Sequence, residues 1–117
     1  MENLLKHKHL LIRAEVKNPP KTEEHIIKWM NNLIAKIDMN ILAGPYASKV
    51  SKKGNKGISS VAIIDTSHIG IHTWDETDPA LIQLDVYSCK EFNKIDVLSC
   101  IEEFDPINVD YKYFDRT

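Results

Sequence analysis

Three strand-like runs follow one another between Ile58 and Ser88 with very little chain between them. Residues 58–64, 69–74 and 81–88 are apolar or alternating, and only residues 65–68 and 75–79 separate them. Parallel neighbours need a crossover of roughly a dozen residues, so links this short predict antiparallel pairing. The rest of the chain must fit round that unit. Residues 10–16 alternate, with Leu10, Ile12, Ala14 and Val16 on one side and Leu11, Arg13 and Glu15 on the other. That period of two predicts a strand with one buried face. Asn18-Pro19-Pro20 breaks it. Thr22 then suits a helix N-cap, and Glu23 and Glu24 stand where the helix dipole favours negative charge. Ile26, Met30, Leu33 and Ile37, with Ile27 and Ile34 alongside, form an apolar stripe at helical spacing, flanked by Trp29 as core packing.

Residues 39–42 read as a short strand that Gly44-Pro45 ends, followed by a polar loop to Gly57. A second helix is predicted over 93–104, capped by Asn93, with Ile95, Leu98 and Ile101 inward and Val97 and Phe104 at the edges of the stripe. Asp105-Pro106 stops it, and 107–114 alternates as a last strand. The order is strand, helix, strands, helix, strand. It implies an α+β fold: a two-layer α/β sandwich, a mostly antiparallel sheet with two helices on one face. The other face, carrying Leu11, Arg13 and Glu15, is a natural dimer surface wherever it is also apolar. A chain of 117 residues suits a single domain over 1–117.

Lys plus Arg is 15 and Asp plus Glu is 17, a net charge of −2, so no general electrostatic drive toward nucleic acid or an anionic membrane exists. Lys49, Lys52, Lys53 and Lys56 form one basic run, read as a solvated loop. No apolar run reaches the roughly 20 residues of a membrane helix, and the first residues lack a signal-peptide pattern, so a cytoplasmic place is expected. Cys89 and Cys100 are then expected as thiols, no spaced His/Cys set indicates a metal, and His7 and His9 are expected to face solvent.

The stretch Thr66-Ser67-His68-Ile69-Gly70-Ile71-His72-Thr73-Trp74-Asp75-Glu76, with Cys89 beyond it, puts hydroxyl, imidazole, carboxylate and thiol in one small β-rich region. Ser67 falls in a tight strand connection. A serine hydroxyl needs a base or a strained acceptor before it is a nucleophile, and His72 is the nearest base in sequence. No GxSxG elbow and no local triad signature accompany them. The residues alone leave open a half-buried strand with a core cysteine.

The same residues resemble the prokaryotic S-adenosylmethionine decarboxylase proenzymes. Those carry Glu-Ser-His-x-x-Ile-His-Thr-Trp/Tyr-Pro-Glu followed by Asp-x-Tyr/Phe-Thr-Cys-Gly, and this chain has Ser67-His68 through Glu76 and then Asp85 through Cys89. Ser59 stands where that family has a serine eight positions before the cleavage serine. The resemblance implies self-cleavage between Thr66 and Ser67. It implies a β-chain 1–66, an α-chain 67–117, and a pyruvoyl group derived from Ser67 as the cofactor. Ser59 and His72 would assist processing. The pyruvoyl ketone would take the amino group of S-adenosylmethionine as a Schiff base, Cys89 would act as proton donor, and Glu76 would bind the substrate's ribose. Decarboxylated S-adenosylmethionine for spermidine, and a homodimer of processed protomers, are further implications.

The chain departs from the pattern at four places. Thr66 replaces Glu, Asp75 replaces Pro, Lys90 replaces Gly, and the loop before Ser59, Lys52-Lys53-Gly54-Asn55-Lys56, has no aromatic. Two extra residues also lie between Glu76 and Cys89. Two other readings follow from these departures: a pyruvoyl decarboxylase of a small amino acid such as ornithine or arginine, and an unprocessed, non-catalytic homologue.

Overall fold

The computed structural model describes residues 6–65 and 67–117. The elements run β1 (Lys8–Val16), α1 (Glu23–Lys36), β2 (Ile41–Val50), β3 (Gly57–Ile64), β4 (Ser67–Trp74), β5 (Ala80–Ser88), α2 (Lys94–Ile101), one 3-10 turn (Glu102–Phe104) and β6 (Pro106–Asp115). The strands form one sheet in the order β2-β3-β4-β5-β1-β6. Every pairing is antiparallel. The three central runs, β3, β4 and β5, lie side by side as their short links require.

Alternation decides the layers. Leu10, Ile12, Ala14 and Val16 of β1, Ile69 and Ile71 of β4, and Ile82, Leu84 and Val86 of β5 are all buried. They meet Ile26, Met30, Leu33 and Ile34 of α1 and Val97 and Ile101 of α2, which both cover this one face. Thr22 caps α1 by accepting the N–H of His25 at 3.0 Å, and Asn93 caps α2 by accepting that of Ile95 at 2.9 Å. Trp29 joins the helices: its indole N–H donates to the Cys100 carbonyl at 2.8 Å and its ring lies 5.1 Å from that of Phe104. Gly57 permits a close approach of β3 to β4, since a Cβ there would sit 1.8 Å from the Thr73 carbonyl oxygen.

Three expectations are corrected. The chain at 43–50 is not a polar loop: β2 runs through Gly44-Pro45 to Val50, with register shifts on either side of Ala43. A proline lacking an N–H is tolerated because β2 is the sheet edge, and Gly44 takes the left-handed φ of 88° that the bulged backbone needs. In α2, Ile95 is exposed and Val97 is buried. The two lie about 200° apart round the helix axis, so both cannot face the core, and Val97 packs with Ile101 one turn on. His7 and His9 do not simply face solvent; both are half-buried against Tyr87.

Candidate functional site

Ser67 is the first residue of β4 rather than part of a loop, and it is 4% exposed. The β4–β5 register sets His68 opposite Tyr87, which brings the residues just beyond β5 alongside Ser67. The N–H of Cys89 donates to Ser67 Oγ at 2.9 Å. The Cys89 thiol donates to the Asp65 carbonyl oxygen at 3.4 Å, and the Ser67 hydroxyl approaches the same oxygen at 3.5 Å. Hydroxyl and thiol thus share one acceptor. Asp65 reaches that position with a φ of 28°. Thr66, the other processing residue named from the sequence, lies outside the described residues.

A second group sits at the far end of β4. Ser59 and His72 face each other across β3 and β4, with Ser59 Oγ 2.8 Å from His72 Nδ1. The Trp74 ring lies 6.1 Å from that of His72, and its indole N–H donates to Asn55 Oδ1 at 2.8 Å. Glu76 follows. Its carboxylate accepts the N–H groups of Gly54 at 3.0 Å and Lys56 at 3.2 Å, and these hold it below the usual glutamate range. The loop of 51–56 is thereby tied to the end of β4.

The structure brings Ser67 to Cys89, and Ser59 to His72, but it separates the two pairs within one chain. Ser67 is on the helix-covered face and His72 is exposed on the open face. The five residue steps of strand from Ser67 to His72 amount to about 16 Å.

The open face holds groups that reading the sequence did not assemble. The Nε2 atoms of His9 and His68 both point at Asp85 Oδ1, the first as a close hydrogen bond and the second at 3.7 Å. Arg116 donates to His9 Nδ1 at 3.2 Å, which leaves the Nε2 proton to donate to Asp85, and its guanidinium lies 4.6 Å from the Tyr87 ring centre. The only signal in the sequence is parity: His9 alternates with Leu10 and Ile12, and Asp85 and Tyr87 alternate with Leu84 and Val86. Beside this cluster lies a groove of about 750 Å³, lined by Leu11, Arg13, His68, Gly70, His72 and Gln83 among others.

A protein-family model described as S-adenosylmethionine decarboxylase matches residues 9–117. The S-adenosylmethionine decarboxylase proenzyme of Clostridium botulinum (strain Langeland, type F) is 32% identical over 81 residues, which is 68% of this chain and 65% of that protein. The proenzyme of the Hall strain is 35% identical over 68 residues, 58% of this chain and 53% of that protein. The chain therefore spans between about half and two thirds of the length of these relatives. The crystal structure of the adenosylmethionine decarboxylase of Aquifex aeolicus VF5 superimposes with a TM-score of 0.75, covering 96% of this chain and 91% of that one at 20% identity. That likeness establishes a shared α+β fold. The chain belongs to the S-adenosylmethionine decarboxylase family.

Proposed function

We propose that this chain cuts itself between Thr66 and Ser67 and then decarboxylates S-adenosylmethionine, supplying the aminopropyl donor for spermidine. The observation that carries the reading is the 2.9 Å hydrogen bond from the Cys89 N–H to Ser67 Oγ, with the Cys89 thiol held to the neighbouring carbonyl. In the first step the Ser67 hydroxyl adds to the Thr66 carbonyl carbon. The Thr66–Ser67 C–N bond breaks, the nitrogen keeps the hydroxyl proton, and the amide becomes an ester. Loss of the Ser67 Cα proton, with the Thr66 carboxylate as leaving group, cuts the chain into 1–66 and 67–117. Water then replaces the nitrogen and ammonia departs, leaving a pyruvoyl group.

The residues present fit that group. Ser67 is enclosed, and the hydrogen bond to its side chain brings Cys89 directly beside it, so a ketone formed at the Ser67 Cα would be sheltered and would have the thiol at hand. The group supplies an electron sink for the pair of electrons left when carbon dioxide departs. Cys89, held beside it, serves as the general acid that returns a proton to the substrate carbon.

The site is incomplete in one chain, because His72 and Ser59 lie on the other face. A second copy on the open face, related by a two-fold axis between the sheets and across the strands, brings its own His72 end to the Ser67 end of β4, where the strand begins and the two faces meet. The 72–76 end of one β4 then lies over the 67 end of the other. His72 of the partner subunit and Ser59 of the partner subunit assist processing. Glu76 of the partner subunit binds the ribose hydroxyls, since a carboxylate offers about four acceptor positions and the loop uses two. Such an isologous contact completes two sites at once. Leu11, Val61, Ile63 and Phe114, large apolar side chains exposed on this face, supply the surface to bury. No helix among the described residues is long and apolar enough to cross a membrane, and two unbridged thiols suit a reducing cytoplasm.

The test is carbon dioxide release from carboxyl-labelled S-adenosylmethionine, ornithine and arginine. Release from S-adenosylmethionine alone, abolished in Ser67→Ala, is expected. Release from ornithine or arginine instead would transfer the activity to the small-amino-acid class.

A further inference from the structure

Asp65 stands apart from the other residues of the processing turn because both its side chain and its main chain are committed. Its N–H donates to the Asn40 carbonyl at 3.2 Å, and its Oδ2 accepts the Asn40 N–H at 2.9 Å. This reciprocal clamp ties the turn between β3 and β4 to the segment entering β2. The clamp holds Asp65 at a φ of 28°, a region that non-glycine residues adopt only when their surroundings compel it. In that conformation its carbonyl oxygen collects the Cys89 thiol at 3.4 Å and the Ser67 hydroxyl at 3.5 Å. The segment gripped by Asp65 is gripped again from the other side. Lys90, next to Cys89, donates to the Asp38 carbonyl at 2.7 Å and lies 3.3 Å from Asp38 Oδ2. Residues 38–40 thus anchor both reactive strands' ends.

We propose that Asp65 is a positioning residue for self-cleavage: its carboxylate, clamped to the Asn40 N–H, fixes the left-handed turn that aims the Asp65 carbonyl at Ser67 and Cys89. Its role is to accept a hydrogen bond, not to carry charge or move a proton. The inference rests on the self-cleavage reading above and adds a residue to it. It also gives a reason why this chain can process without a carboxylate at position 66, since the turn is ordered by the carboxylate one residue earlier.

The experiment compares three full-length variants by intact mass over time, with circular dichroism and thermal unfolding recorded for each. Asp65→Gly keeps a positive φ accessible and removes the acceptor. Asp65→Asn keeps the acceptor, tolerates the left-handed region and removes the charge. Asp65→Ala removes the acceptor and opposes the φ. The expected result is cleavage slowed about 10- to 100-fold in Asp65→Gly and Asp65→Ala, the range that misplaced reacting groups produce. Asp65→Asn is expected to cleave within about threefold of wild type, a rescue that a charge-dependent role does not allow. If Asp65→Ala does not fold, Asp65→Gly alone decides, because it imposes no backbone strain. Wild-type cleavage in Asp65→Gly overturns the proposal, and so does an Asp65→Asn as slow as Asp65→Gly. A wild-type chain that never cleaves refutes the self-cleavage reading itself, an outcome distinct from either.

Discussion

Ser67 and Ser60 are both buried serines, yet their surroundings assign them opposite parts. Ser67 Oγ is met by the Cys89 N–H, whereas Ser60 Oγ is the one buried side-chain polar atom among the described residues that finds no hydrogen-bond partner. An unmet hydroxyl in an apolar layer carries an uncompensated desolvation penalty. Ser60→Ala is therefore expected to stabilise the fold by about 1 kcal/mol, read as a higher unfolding temperature, with processing unchanged. On the proposed function, Cys89 separates the two chemical stages. Its N–H, which touches Ser67, survives any side-chain change, while its thiol does not. Cys89→Ala should still cleave at Thr66–Ser67 but lose about 10²- to 10⁴-fold in carbon dioxide release, the range for a lost general acid. Equal losses in both stages would contradict that division. Of these two serines the sequence marked only Ser67, through its motif. Burial of Ser60 followed from strand parity, but the lack of a partner depends on what α1 presents to it.

At the level of elements, β4 is the organiser. Its helix-side residues, Ile69, Ile71 and Thr73, are buried, and of its open-face residues His68, Gly70 and His72 form one line of the groove floor. Strand β4 was legible because alternation, a short link and a hairpin partner all agreed. Strand β2 was not, because Gly44-Pro45 reads as a break unless the strand is known to be an edge. Helix α2 was placed correctly, but its facing was not: eight helical residues allow either Ile95 or Val97 inward, and the choice is made by packing against α1. The tie between Glu76 and the 51–56 loop was invisible too, since it uses main-chain N–H groups that carry no residue signature. That tie has a pH dependence of definite sign. The carboxylate is held below the usual glutamate range by the Gly54 and Lys56 N–H groups. Its contribution is therefore fully present above the unfolded glutamate value and is lost as pH falls through the depressed folded value. Protection of the Gly54 and Lys56 amides against hydrogen exchange, taken relative to the intrinsic rate at each pH, should fall in that acid range, and Glu76→Gln should remove the dependence. Protection that persists unchanged through it would contradict the clamp.

Across the whole molecule, the helices cover one face of the sheet and leave the other open, where the proposed function seats a second copy. Ser67 and His72, both given parts in processing by the proposed function, stand at opposite ends and on opposite faces of β4, so that reading predicts complementation between chains. A dimer formed from one Ser67→Ala chain and one His72→Ala chain contains one site with both changes and one with neither. The purified mixed dimer should restore about half the wild-type release of carbon dioxide, and unseparated co-expressed chains about a quarter, while each homodimer remains inactive. An inactive mixed dimer would show that Ser67 and His72 must lie in the same chain. The family pattern pointed to both residues but was silent on which chain supplies each, because spacing along a strand carries no information about a two-fold axis. The measurement that reaches the centre of the account is the intact mass of the purified wild-type protein. The account predicts two chains, residues 1–66 and 67–117, the second lighter by one ammonia than a fragment beginning with serine and blocked to amine reagents. A single uncut chain of 117 residues after prolonged incubation would contradict it.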